Sequence, residues 1–333
     1  MKITFLGSGA WATALAYDLA KAGQHDIWMY GNNPAEIEDI SLRHANSKYF
    51  PDISLPVCIK ATLDPKEALA KADALVLAVP SSQINNIVAL LKDNCDTKPL
   101  LINVIKGFDP KTGVGISTLI KQSFDESFSP RGIVCLVGPS FAYDVIHDDL
   151  TAVCAVSDVE EDAKEVQHLF SSPSFRVYVQ RDVVGAEIGA GMKNIIAIAS
   201  GIMEGLGYKD NTRAALITRG LAEMTRYGMK HGAKAETFLG LTGVGDLCLT
   251  ASSHRSRNYE FGILIGKDDS AANALANNQK TVEGVYAAKT IHEQALKEGI
   301  SVPIVDSVYA VLYEGKKPSE EVKALMERSL KAE

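Results

Sequence analysis

The chain has 333 residues, 46% of them hydrophobic and 23% charged, an ordinary globular composition with a full core and length enough for two domains. With 41 acidic against 34 basic residues the net charge is −7, which excludes the basic footprint of a nucleic-acid binder and leaves room only for a local basic pocket. Cys58, Cys95, Cys135, Cys154 and Cys248 show no CxxC spacing and the seven histidines no HxxH or HExxH, so buried free thiols and no metal site are expected.

The first predicted strand, residues 2–6, runs into Gly7-Ser8-Gly9-Ala10-Trp11-Ala12 and then into a helix-compatible run. This is a GxGxxA turn in the strand–turn–helix context that dinucleotide binding requires. Gly7 permits the tight turn and Gly9 lets the backbone approach a pyrophosphate. Ala12 keeps the helix close to the strand, and the helix N-terminus offers N–H groups and a positive dipole to the phosphates. The chain starts directly on this strand, so no signal peptide is expected. No apolar run reaches the roughly 20 residues of a membrane span. A cytoplasmic protein is therefore expected.

The second strand, 26–30, ends in Tyr30-Gly31-Asn32-Asn33. An NAD-selective site usually places an acid there for the ribose 2′-hydroxyl. Asp26 begins this strand rather than ending it, and no arginine is present to clamp a 2′-phosphate. NAD and NADP both remain open as cofactors, and Asn32 can contact either ribose. Further strands are predicted at 56–61, 74–79, 99–105, 132–137, 152–156 and 175–179, with helices such as 65–71 and 83–92 between them. Runs such as ALVLAV and LLINVI are continuously apolar, which implies burial on both faces and a mostly parallel, doubly wound (Rossmann-type) α/β sheet. In that architecture ligands lie beyond the carboxyl ends of the strands. The exits there are Gly7–Ala12, Pro80-Ser81-Ser82, Lys106-Gly107-Phe108 and Gly138-Pro139-Ser140-Phe141-Ala142, with Lys106 a cation at the crevice mouth.

From residue 183 no convincing strand remains, which predicts a dinucleotide-binding domain over 1–182 and an all-α substrate domain over 183–333. Its helices are expected at 183–206, 211–228, 256–266, 282–298, 303–313 and 319–329, the second capped near Asn211. Gly189-Ala190-Gly191-Met192-Lys193-Asn194 lies inside the first of these. Interior glycines cost roughly 1 kcal/mol each against Ala and are kept where something must approach the backbone. Lys193 has Gly189 and Ala197 at i±4, so no carboxylate neutralises it at that spacing. It is either a snorkelling lysine or a desolvated one tuned for proton transfer. Gly240-Leu241-Thr242-Gly243-Val244-Gly245-Asp246 presents one acid, as a helix cap or as a partner for Lys193. Ser253-His254-Arg255-Ser256-Arg257-Asn258 precedes a helix and is the candidate phosphate site.

The set GSGAWATALA, NVIKGF, GPSFA, GAGMKN, LTGVGDL, SRNYEFG and TVEGV, in this order and spacing, closely resembles the bacterial-type NAD(P)-dependent sn-glycerol-3-phosphate dehydrogenases up to about residue 310. The resemblance implies cofactor contacts from Ala10, Trp11, Asn32, Lys106, Ala142, Arg257, Thr281 and Glu283. It implies a substrate site of Lys106, Gly138, Ser140, Lys193, Asp246, Ser256, Arg257 and Asn258, with Lys193 exchanging the proton. It further implies a homodimer that supplies sn-glycerol 3-phosphate to phospholipid synthesis. The family often has Ser-Trp-Gly or Ser-Tyr-Gly where this chain has Ala10-Trp11-Ala12, and Arg or His where it has Asn32. The rival readings are a 6-phosphogluconate or 3-hydroxyacyl-CoA type dehydrogenase and a cofactor-sensing protein without turnover.

Overall fold

The computed structural model describes residues 1–21, 23, 25–109, 114–125, 128–278 and 281–329. The chain divides into two compact units, the first holding Met1–Asp109 and Val114–Val183, the second running from Val184 onward.

Among the described residues the first unit is built on ten strands: β1 (Lys2–Leu6), β2 (Asp26–Tyr30), β3 (Ala45–Asn46), β4 (Phe50–Ser54), β5 (Ile59–Thr62), β6 (Ala74–Leu77), β7 (Leu100–Asn103), β8 (Gly132–Val137), β9 (Thr151–Val156) and β10 (Phe175–Gln180). Eight of them form one sheet in the order β10-β9-β8-β7-β6-β1-β2-β5. Pairing is parallel except between β8 and β9. The continuous apolar runs account for this: Leu75, Val76, Leu100, Leu101 and Ile102 are fully buried, with one core on each sheet face. Strand order reverses on either side of β1, so the crevice lies beyond the ends of β1 and β6.

Three sequence expectations need correction. The strand expected at 56–61 is β5, because the Pro56 carbonyl closes a turn by accepting from the Ile59 N–H at 3.0 Å. The strands expected at 74–79 and 99–105 stop at Leu77 and Asn103; the Asn103 side chain accepts from the Ile105 N–H (3.0 Å) and turns the chain out of the sheet. The hairpin of β3 and β4 was not expected, since β3 has two residues and β4 contains Pro51, which weakens any strand pattern.

The second unit contains no strand among the described residues. Its long helices are Val183–Gly205, Asp210–Lys230, Arg257–Asp268, Glu283–Glu298 and Pro303–Tyr313. The helix expected at 211–228 starts at Asp210 with Lys209 in the cap position and no side-chain cap, so Asn211 does not cap it. Pro318–Met326 stands where 319–329 was expected. Helix Val183–Gly205 is long and apolar enough to cross a membrane, contrary to the expectation that no run would be, yet 83% of its apolar window is buried inside the protein and it is a core helix. None of the five cysteines is in a disulfide; Cys135 and Cys154 are buried, the latter with its thiol pushed up to about 11 by burial, and Cys58 and Cys95 are half-buried. Cys248 is exposed, because Asp246, Leu247, Thr250 and Ala251 turn the opposite face of their helix inward.

Glycines at four-residue spacing explain how two of the helices pack. A Cβ on Gly201 would lie 2.0 Å from the Tyr259 carbonyl oxygen, and one on Gly262 would lie 2.2 Å from the Ile198 carbonyl oxygen; Gly205 and Gly266 are as close one turn on. The helices meet backbone to backbone. Gly262→Ala is expected to cost about 1–3 kcal/mol of stability, as overpacking does where rigid backbone must give way. A urea midpoint unchanged from wild type would contradict this packing.

Glu223 is buried and accepts from the N–H groups of Ile304 (2.8 Å) and Val305 (3.3 Å), at the start of helix Pro303–Tyr313. Burial pushes its carboxyl from 4.5 up to about 7, against the two N–H donors and Arg226 and with some help from Asp306. The folded value exceeds the unfolded one, so this contribution to stability is complete below about pH 4.5 and is lost as pH rises to about 7. The loss amounts to about 3 kcal/mol at 1.36 kcal/mol per unit. Glu223→Gln cannot ionise and should flatten that fall. Urea unfolding of both proteins at pH 5 and pH 8 checks it; parallel slopes would contradict it.

Candidate active site

In the first unit, the turn after β1 is held from two sides. The Gly7 N–H donates to the Tyr30 carbonyl at 2.8 Å. Gly7 has φ +125°, and a Cβ there would lie 2.4 Å from the Ala78 carbonyl oxygen, just past β6. Only glycine fits this backbone and this approach. At Gly9 a Cβ would meet nothing within 4 Å, so open space lies over the turn where helix Ala10–Lys21 begins. A dinucleotide pyrophosphate fits that cradle, with the first N–H groups of the helix facing it. Ala10, Trp11 and Ala142 pack half-buried against one core cluster. The Trp11 indole nitrogen is buried with no hydrogen-bond partner, a donor left over at this place. Asn32 stands exposed just past β2.

Beyond β7 and β8, Lys106, Gly138 and Ser140 come together. The Lys106 ammonium donates to the Gly138 carbonyl at 3.1 Å and the Ser140 hydroxyl to the same oxygen at 3.2 Å. A Cβ on Gly138 would lie 2.8 Å from the Val153 Cα. These three predicted residues thus form one polar group at the sheet exits.

In the second unit the position of Lys193 decides whether it snorkels. Lys193 is 4% exposed and its ammonium lies 2.6 Å from Asp246 Oδ1, itself 1% exposed. It does not snorkel. The loop reaches the helix because Gly189 has no side chain: a Cβ there would lie 2.3 Å from the Thr242 carbonyl oxygen. The glycine run folds as a π-helical turn, Leu241–Gly245, which delivers Asp246 as the first residue of the next helix. Thr250 donates its hydroxyl to the Asp246 carbonyl (2.7 Å) and lies 3.4 Å from Oδ1.

Ser256 caps helix Arg257–Asp268, its Oγ accepting from the Tyr259 N–H at 3.3 Å, which leaves its O–H to donate. Asn258 is buried; its Oδ1 accepts from the Gly284 N–H (2.8 Å) and its Nδ2 donates to Asn194 Oδ1 (3.0 Å). Its second amide N–H is left for a ligand. Asn194 in turn donates to Glu283 Oε2 at 3.2 Å. Asn194 was not among the sequence candidates, although it follows Lys193 directly; it joins Asn258 and Glu283 into one network. Arg257 is exposed and lines a cleft of about 660 Å³ with His254, Arg255, Phe261 and Val282. Thr281 is exposed beside Val282, which occupies the cap position of helix Glu283–Glu298. Among the described residues no group of His, Cys, Asp and Glu is placed to hold a metal ion.

Two family models match the chain: the NAD-dependent glycerol-3-phosphate dehydrogenase N-terminus over residues 2–163 and the C-terminus of the same family over 182–323. A protein of Bacillus pumilus named glycerol-3-phosphate dehydrogenase [NAD(P)+] is 43% identical over 98% of this chain and 94% of its own length. One of the same name from Clostridium acetobutylicum is 43% identical over 99% and 98%. The crystal structure of glycerol-3-phosphate dehydrogenase from Coxiella burnetii superposes with a TM-score of 0.89 at 33% identity, covering 98% of this chain and 99% of that one.

Proposed function

We propose that this chain, which belongs to the NAD-dependent glycerol-3-phosphate dehydrogenase family, interconverts dihydroxyacetone phosphate and sn-glycerol 3-phosphate using NAD(P)H, with Lys193 as its acid and base. The observation that carries the assignment of Lys193 is its buried ion pair with Asp246. When bound, the nicotinamide supplies or takes the hydride. Everything else falls to the chain. Lys193 donates a proton to the substrate oxygen on reduction and accepts it on oxidation, and its charge stabilises the oxyanion that develops there. Asp246 fixes the direction of that ammonium. Ser256, through its free O–H, and Arg257, through its guanidinium, hold the substrate phosphate at the start of a helix, where N–H groups add to the attraction. Asn258 supports them through its remaining N–H. Within the first unit, Lys106 and Ser140 meet at the Gly138 carbonyl and offer a polar group of their own.

Arg257→Lys keeps the charge and loses the planar fork, so KM for dihydroxyacetone phosphate is expected to rise by about tenfold or more, and further in Arg257→Ala. An unchanged KM in both variants would move the phosphate site elsewhere. The phosphate reading is tested separately with unphosphorylated dihydroxyacetone, which should turn over orders of magnitude more slowly than the phosphate ester; comparable kcat/KM for the two would contradict it. Turnover of 6-phosphogluconate or of a 3-hydroxyacyl-CoA in preference would favour the related dehydrogenase types. A cytoplasmic homodimer feeding phospholipid synthesis belongs to the same proposal, supported by likeness to the bacterial family.

A further inference from the structure

The end of β2 carries no carboxylate, yet one stands beside the dinucleotide turn, brought there by the following helix. Glu36, in the first turn of helix Pro34–Arg43, is 9% exposed, and its Oε2 accepts the hydroxyl of Ser8, the residue between the two glycines, at 2.9 Å. Its Oε1 accepts from Asn33 Nδ2 (3.2 Å) and from the Lys48 ammonium (2.6 Å). Lys48 lies in the turn between β3 and β4. That hairpin is tied to the same place by Asn46, whose Nδ2 donates to the Ser8 carbonyl (2.9 Å) and to the Thr13 hydroxyl (2.8 Å). Gly31 makes room: a Cβ there would lie 2.7 Å from Ser8 Oγ.

We propose that Glu36 and Lys48 read the 2′ position of the cofactor's adenosine ribose, Glu36 accepting a 2′-hydroxyl and Lys48 binding a 2′-phosphate. The inference rests on the reading that this unit binds NAD(P). In a doubly wound fold the ribose lies beyond the ends of the first two strands, where an acid receives its 2′-hydroxyl. A carboxylate offers about four acceptor positions; Ser8, Asn33 and Lys48 occupy three, and one remains. Lys48 is held differently. Its side chain is 58% exposed against 10% for Glu36, so its ammonium can swing outward to a phosphate dianion while Ser8 and Asn33 keep hydrogen-bonding the carboxylate. Opposite charges at one locus explain how a chain without an acid or an arginine after β2 would serve both cofactors.

The test is the dissociation constant of NADH and of NADPH for the protein without substrate, by calorimetry at one ionic strength. Lys48→Ala should weaken NADPH by about tenfold or more, the effect of one charged contact, and leave NADH within about threefold. Lys48→Glu should do the same more strongly. Glu36→Gln keeps an acceptor for Ser8 but loses the charge; it should weaken NADH and leave NADPH as tight or tighter. Added salt should shrink the Lys48 effect on NADPH. Equal weakening of both cofactors in the Lys48 variants, or no change in either, would overturn the proposal, and if Glu36→Gln does not fold the Lys48 pair decides alone. A wild-type protein that bound neither cofactor would instead overturn the NAD(P) reading on which it rests.

Discussion

Lys193→Ala is expected to lower kcat by about 10²–10⁴-fold, the usual contribution of general acid–base catalysis. The lysine is 4% exposed in a helix interior and is ion-paired with Asp246. Cofactor affinity should stay nearly unchanged, because the dinucleotide turn belongs to the other unit. The variant leaves Asp246 without its cation, and stability must be measured beside activity. Lys193→Met, which refills the aliphatic volume, separates the two: it should recover some stability and no kcat. Either variant retaining more than half of wild-type kcat would remove Lys193 from the mechanism.

Asp246→Ala should be as severe, for a different reason. Removing one member of a buried ion pair leaves an uncompensated charge and costs about 3–5 kcal/mol. Asp246 is 1% exposed and its partner has no exposed surface to which it could retreat. The protein should therefore lose stability by about that amount, or keep Lys193 neutral and fail as an acid. Asp246→Asn, which retains a dipole and the shape, should fall between. The double variant Lys193→Met with Asp246→Ala should be more stable than Asp246→Ala alone, because no charge is left buried. Additive losses in that cycle would mean that the two side chains do not act as a pair.

How far these residues could be read in the sequence follows from how local their causes are. The strand–turn–helix around Gly7 and Gly9 is a contiguous pattern with a steric cause, and it is visible without a structure. Continuous apolar runs likewise disclose a sheet buried on both faces. The pairing of Lys193 with Asp246 spans 53 positions (246 minus 193) and depends on Gly189 admitting the Thr242 carbonyl; the sequence offered that partnership only as one of two options. The hairpin of β3 and β4 was invisible because a two-residue strand and a proline carry no period. With it went Asn46 and Lys48, and so the neighbours of Ser8. The reversal of direction between β8 and β9 was equally hidden, since apolar runs look the same in either direction. Asn258 was read as a ligand residue from its neighbours in the chain, and the structure assigns most of its amide to Asn194 and Gly284.

As a member of this dehydrogenase family, the chain reduces the ketone of a small phosphorylated substrate with a nicotinamide cofactor. This activity is tested most directly by following NADH and NADPH absorbance as purified protein is given dihydroxyacetone phosphate, with the product identified. Reduced cofactor should be lost in one-to-one proportion to the sn-glycerol 3-phosphate formed, with both cofactors, and this loss should nearly disappear in Lys193→Ala. Cofactor that binds to the wild-type protein and is not consumed when dihydroxyacetone phosphate is added would contradict it.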